Sequence, residues 1–381
     1  MQTVVLESLE EVPAHQWNAL VVDDYPFLRH EFLVALERHD CVGKLTGWLP
    51  RHLVCRDGRG RLLGAAPFYL KSNSYGEFVF DWSWADAYHR HGLAYFPKLV
   101  CAVPYTPAAG QRLLLTPGPE GEAVARALIR RALALARELD CSSLHWLFTT
   151  EQETDWLCQE GLMLRLGCQF HWYNPGYRDF EDFLSTLTNK KRKNIRQERR
   201  RVREGGLELQ VREGPEITPE QWSTFHTFYC DTFHRRGGYP TLTLPFFREI
   251  GHTLGRQVVL VVARYHGRMV AAALSFRSRT TLYGRHWGCL ADFDALHFEA
   301  CYYQGLDYCI RQGLSRFEPG AQGEHKISRG FLPTLTHSAH WMAHPAFQQA
   351  VEDFLGRERP AVKAYARELK ERSPYRQTQE S

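Results

Sequence analysis

Apolar positions along this chain alternate between a period near two and a period near 3.6, and the sequence runs through that alternation twice. Strand-length apolar runs such as LLGAAPFYL (62–70) and QVVLVVARY (257–265) each adjoin a Gly-Arg turn. The segment GRLLGAAPFYLKSNSYGEFVFDWSWAD (60–86) can be laid over GRMVAAALSFRSRTTLYGRHWGCLAD (267–292). Each predicts a turn, a strand rich in small residues, and an aromatic strand ending near a Trp and an Ala-Asp pair, followed by a helix. Because turn, apolar pattern and order all agree, an internal duplication explains the match.

Helical periods fill the intervals. Val124, Leu128, Leu135 and Leu139 form one stripe over 122–139, before a strand SSLHWLF. YNPGYRDF (173–180) is a turn-rich boundary, after which a helix is expected from about residue 180 through the following basic run. Thr218-Pro219-Glu220-Gln221 reads as a capping box with proline at the first helical position, opening a helix towards Phe233. Phe298, Cys301, Tyr302, Gly305, Leu306 and Cys309 share a helix face, and 345–372 reads as two helices broken at Pro360. The expected class is α+β with two similar domains, residues 1–172 and 173–344, and C-terminal helices over 345–381 packing back on the first domain.

Composition narrows this picture. The length of 381 residues suits two domains, and a net charge of +4 makes any affinity for polyanions local. No apolar run approaches the ~18 residues of a membrane span. The opening MQTVVLESLEEVP lacks a signal-peptide pattern, and ten cysteines lie scattered without a C-x-x-C pair. Reduced thiols and a cytoplasmic location are expected.

The charge is concentrated in TNKKRKNIRQERRRVREGG. Nine basic residues fall within 190–203, and Glu198 is the sole acid among them. On a helix Arg192, Arg196, Arg199 and Arg203 form one stripe beside the apolar Ile195 and Val202. A solvated face usually alternates signs to form i,i+4 pairs, whereas guanidinium forks in series suit phosphate oxygens. The stripe is therefore a candidate polyanion site, with a plain exposed helix as the alternative.

RHEFLVAL lacks the second histidine of a zinc-protease helix, because position 34 is Val. In HSAHWMAH, His337 and His340 would face opposite sides of a strand, so no metal site is expected. Phe78, Phe80, Trp82 and Trp84 would share one strand face, either packing inward or offering a stacking platform. Tyr283, Arg285 and Trp287 take the corresponding face of the second repeat, where Arg285 needs an anionic partner. FEPGAQGEHKISRGFLP (317–333) follows a short strand and gathers Glu318, His325, Lys326 and Arg329 among glycines. A carboxylate or imidazole there could act as general base, and a lysine or arginine could stabilise an oxyanion; the alternative is a loop closed by ion pairs.

At these residues the chain resembles the FemAB-like (peptidoglycan biosynthesis or recognition) branch of the GNAT acyltransferase superfamily. FLSTLTNKKRKNIRQERRR is similar to that family's turn and K/R-x-x-I-R helix, TFYCDTFHRRGGYPTLTLPFF to its Arg-containing Gly-aromatic turn, and FEPGAQGEHKISRGF to its strand-end acid and later Lys…Gly-Phe. LRHEFLVALE, GWLPRHL, YLKSNSYGEFVFDWSWADAY and SAHWMAH extend the resemblance over nearly the whole chain. The resemblance implies two tandem GNAT domains with mixed sheets flanked by helices. In better-known members an interdomain cleft takes a cell-wall precursor, whose amine accepts an acyl group from aminoacyl-tRNA. Carried over, Arg235 or Arg236 would contact an acceptor phosphate, and Lys326, with Arg329 as rival, would steady the oxyanion. The strand-face pattern described above, rather than the resemblance, makes Arg285, Trp82, Trp84 and Tyr283 the candidate substrate-lining residues. No tightly bound cofactor is implied, and the donor is aminoacyl-tRNA or an acyl-CoA. A standard CoA turn is a poor match, because CLADFDALHFEA (289–300) has no glycine and carries Asp292 and Asp294 where pyrophosphate would sit. An acetyl-CoA-dependent N-acetyltransferase and a non-catalytic module for RNA or a peptidoglycan precursor are the competing readings.

Overall fold

A computed structural model describes residues 1–321 and 323–376. The chain divides into two compact units, one formed by Met1–Cys168 and Leu335–Tyr365, the other by Gln169–Thr334 and Ala366–Ser381.

In the first unit the strands Gln2–Leu6, His52–Arg56 and Leu62–Ala66 pair antiparallel in succession. The chain continues past Pro67 into Phe68–Lys71, which is antiparallel to Lys98–Cys101. That strand runs parallel to Ser143–Thr149, which in turn meets residues 337–342 antiparallel. A parallel neighbour requires a crossover, and the helix Gly121–Glu138 supplies it. Its face of Val124, Leu128, Ile129, Ala132 and Ala136 packs on Leu53, Phe68, Leu99 and Trp146. Each such large side chain contributes about 1.5–3 kcal/mol by leaving water.

The second unit repeats the order. Leu207–Glu213, Val258–Tyr265, Arg268–Arg277 and Thr281–Cys289 are successive antiparallel neighbours. Thr281–Cys289 is parallel to Arg316–Glu318, whose other side pairs antiparallel with Tyr173 and Trp172. The crossover runs through Leu296–Phe298, a π-helical turn Glu299–Tyr303 and the helix Gln304–Gln312. Phe183, Leu184, Ile195, Leu306, Phe317 and Phe331 form its core.

Three expectations change. The aromatic strand over 78–84 is instead a loop entering the helix Trp82–Arg90, because Trp84 and Tyr88, one turn apart, bury together while Phe78, Phe80 and Trp82 stay exposed. The counterpart of Thr281–Cys289 is therefore the later strand Lys98–Cys101, reached through an insertion. The helix Pro345–Glu371 runs unbroken through Pro360. It is pinned just ahead of the proline, where Glu358 pairs with Arg165 and Arg359 bonds the Leu164 carbonyl. The helix expected from residue 180 onward is two, Phe180–Ser185 and Asn189–Glu204, parted where Leu187 bridges to Tyr375. The capping box at Thr218 and Gln221 forms as read.

Candidate functional site: a basic groove and an adjoining lysine turn

The helix Asn189–Glu204 buries only Ile195 and Val202, so its other faces carry the cations. Beside it lies a groove of about 1010 Å³, lined by Arg192, Lys193, Arg196, Arg199, Arg200 and Arg203 over Phe180 and Leu184. The four stripe arginines thus share one concavity. They are not equally available, however. Arg196 pairs with Glu181, and Arg199 folds across the Phe180 ring to reach Glu299 at 3.2 Å. Arg192 donates to Asn189 at 2.5 Å, Arg200 lies 3.9 Å from Glu204, and Arg203 is exposed.

The one acid of the basic run explains how this helix meets the glycine-rich segment. Both carboxylate oxygens of Glu198 accept from Arg329 Nη2, at 2.9 and 3.1 Å, and one also accepts from the hydroxyl of Tyr303. Arg329 spends its remaining donors on Tyr303, the His325 carbonyl and Ser328, and its guanidinium stacks 3.5 Å over Phe298. All three of its guanidinium nitrogens are engaged within the fold, so it serves as a brace. Lys326, one turn earlier in Glu324–Arg329, is buried and donates to the Gly320 carbonyl at 2.7 Å. Burial brings its ammonium down to about 8, so it is cationic at neutrality yet close to releasing its proton. His325 bonds Tyr302 at 2.8 Å, and burial with the cations of Lys326 and Arg329 lowers its basicity. Glu318 ends its strand buried, 3.2 Å from Arg316 and 3.9 Å from His171. Burial holds His171 neutral, down to about 3, so Arg316 is the charged partner of that carboxylate.

The remaining candidates scatter. Arg235 is tied to Asp231 and to the Cys289 carbonyl at 2.8 Å, while Arg236 is exposed. Arg285 sits in a β-bulge, since the register steps from Gly284 opposite Ser275 to His286 opposite Leu274. The bulge breaks the alternation that placed Tyr283, Arg285 and Trp287 on one face; Tyr283 is buried and Arg285 half-buried. Trp82 is exposed against Tyr75, whereas Trp84 is buried between His145 and His340. Sequence reasoning missed the π-helical turn, which places Glu299, Tyr302 and Tyr303 successively against Arg199, His325 and Glu198. The lone acid among nine cations was the available signal for it.

Each unit has a mixed sheet in which a parallel pair is closed by a crossover helix, an α+β arrangement that solved structures share. The chain is similar to a crystal structure of FemX, at 13% identity, a TM-score of 0.56, and coverage of 92% of this chain and 100% of that one. It is also similar to the C-terminal domain of a putative lysylphosphatidylglycerol synthetase from Agrobacterium fabrum, at 12% identity, TM-score 0.55 and coverage of 91% and 96%. A third is L-PGS from Bacillus licheniformis, at 13% identity, TM-score 0.51 and coverage of 84% and 95%. No curated protein matches the sequence. The FemAB_like family, described as peptidoglycan biosynthesis/recognition, matches residues 8–377, and the chain belongs to that family. Among the described residues no helix is long and apolar enough to cross a membrane.

Proposed function

We propose that this protein is an acyltransferase that moves an acyl or aminoacyl group onto an amine, with two GNAT-type domains in tandem. The observation that carries the reading is the groove along Asn189–Glu204, where arginines converge on the helix whose Glu198 holds Arg329 of the turn bearing Lys326. Phosphates of the donor or of a nucleotide-linked acceptor meet Arg192, Lys193, Arg200 and Arg203, whose charges have the weakest internal partners. Lys326 steadies the oxyanion that forms when the amine adds to the acyl carbonyl, releasing the Gly320 carbonyl to do so. Glu318 and His325 are candidates to receive the amine proton. Arg329 positions this turn through Glu198.

Aminoacyl-tRNA is the favoured donor, because Asp292 and Asp294 occupy the junction where a CoA pyrophosphate would need amides, and the groove offers a long cationic surface. The family description and the names of the lysylphosphatidylglycerol synthetases of similar fold are compatible with aminoacyl transfer. The acceptor in this reading is a cell-wall precursor. Equilibrium binding of charged and uncharged tRNA at near-physiological salt, with acetyl-CoA as competitor, tests it. A preference for the charged form that acetyl-CoA does not displace is expected. Equal, weak and steeply salt-dependent binding of both forms would refute the donor assignment.

A further inference from the structure

The first unit contains a second concentration of charge that the reading above does not use. Lys71 and Lys98 are direct neighbours in the antiparallel register and point to the same face of the sheet. Both are fully buried. The segment 72–81 passes over them and brings down Glu77 and Asp81, which are 4% and 3% exposed. Lys98 Nζ donates to Glu77 at 2.8 Å, to Ser74 at 2.9 Å and to Asp81. Tyr95 donates to the same Asp81 oxygen at 2.6 Å. Further along the face, Ser143, His145, His340 and Ser338 form a chain of hydrogen bonds of 2.7–2.9 Å.

Two features of this centre are incomplete. Among the described residues, Glu77 Oε1 and Asp81 Oδ1 are buried without a hydrogen-bond partner. Lys71, meanwhile, does not reach either carboxylate; its Nζ lies 3.8 Å over the Trp48 ring and donates to the Tyr75 carbonyl at 3.2 Å and to Asn73 at 3.4 Å. Two carboxylates therefore share one contacting ammonium, and each keeps an open acceptor. Buried acceptors are rarely left so, and the cost is largest for charged oxygens. The group that completes such a pair is a second N–H cation. The covering segment is equally unusual outside. Tyr75, Phe78, Phe80 and Trp82 are 70%, 41%, 53% and 47% exposed along one short stretch. Rings gathered there, next to buried acceptors, suit a ligand with an apolar or ring-bearing body and a donor at its end.

We infer that the first unit holds an amine-binding site beneath the segment 72–81, in which Glu77 and Asp81 receive a primary ammonium group and the exposed aromatic rings hold the body that carries it. The groups facing Glu77 are Lys98 and Lys71 from the sheet and Asp81 from its own segment, and burial raises its carboxyl to about 7, so it is ionised at the slightly alkaline pH of the test below. Entry requires the covering segment to lift, since both open oxygens are out of contact with solvent.

The test is calorimetric titration of the full chain with benzylamine at about pH 8, with benzyl alcohol as the uncharged control. Benzylamine is expected to bind with a Kd on the order of a millimolar and benzyl alcohol at least about tenfold more weakly. Glu77→Gln should weaken benzylamine about tenfold or more without affecting the alcohol. Trp82→Ala, at an exposed position where folding is safe, should weaken both. Absence of benzylamine binding, or binding that Glu77→Gln leaves unchanged in a folded variant, would overturn the assignment and reduce the centre to hydrated structural polarity. No acyl donor or nucleic acid enters this experiment, so its failure would leave the tRNA result standing, and the converse also holds.

Discussion

In the second unit the cations of Asn189–Glu204 lie at the surface of one helix, whereas the first unit places Lys71 and Lys98 where solvent does not reach. The difference is one of counter-charge. Along Asn189–Glu204, Arg196, Arg199 and Arg201 each find a carboxylate on another element, and Arg200 one within the helix, all at partly or fully exposed positions. Beneath 72–81 each charge depends on named partners, because burying an ion costs several kcal/mol unless it is paired. An open groove can exchange ligands and lose individual charges cheaply. A buried centre cannot, so removing a single group should separate the two regions clearly.

The largest effect is expected at Lys98. Lys98→Met leaves Glu77 and Asp81 without their shared ammonium, and should cost about 3–5 kcal/mol in urea unfolding. Adding Asp81→Asn should restore part of that loss, and a double-mutant cycle would show the coupling. In the second unit the corresponding distinction is between Lys326 and Arg329. Lys326→Met should lower transfer about 100-fold or more with little change in the urea midpoint, while wild-type transfer should decline as pH rises through about 8, where the ammonium is lost. Arg329→Ala should instead unfold at lower urea, by about 2–3 kcal/mol, because Glu198 and Tyr303 lose their donor.

A smaller effect follows from the titration of the buried centre. The Glu77 carboxyl sits at about 7, above its unfolded value, so between the two the native state holds a proton the unfolded chain has released, and stability falls as pH rises towards neutrality. The Lys71 ammonium, brought down to about 7, is released in the native state while the unfolded chain keeps it, so above neutrality stability rises. These two residues together give a minimum near neutral pH, with limbs of the order of 1–3 kcal/mol. Glu77→Gln should remove the falling limb and Lys71→Met the rising one, read from urea midpoints across pH.

The same contrast shows what the sequence could convey. The basic helix was legible because Ile195 and Val202 mark a buried stripe and the arginines fall opposite. The duplicated turn and strands were legible for the same reason, as local periodicity decides them. The helix Trp82–Arg90 was misread because Phe78, Phe80, Trp82 and Trp84 imitate a strand at period two; the pairing of Trp84 with His145 and His340, distant in sequence, decides the outcome. Arg329 carried the right residue type for an oxyanion contact, but its commitment to Glu198, 131 positions away, could not be seen from a loop motif. The buried lysine pair was hidden for a similar reason, since it arises from strand register and a covering segment. Lys98 falls in an otherwise apolar strand, KLVC, which was the one local hint.

The smallest effect on stability and the most direct test of the central claim lie in the groove. Replacing Arg192, Lys193, Arg200 and Arg203 together with glutamine should change stability by no more than about 0.5 kcal/mol per site. The decisive measurement is the salt dependence of charged-tRNA binding for the wild type and this variant. The account predicts that the slope of log K against log salt falls by about one for each phosphate contact removed, with the preference for charged tRNA lost. An unchanged slope and affinity would place the polyanion elsewhere and contradict the groove as the donor site.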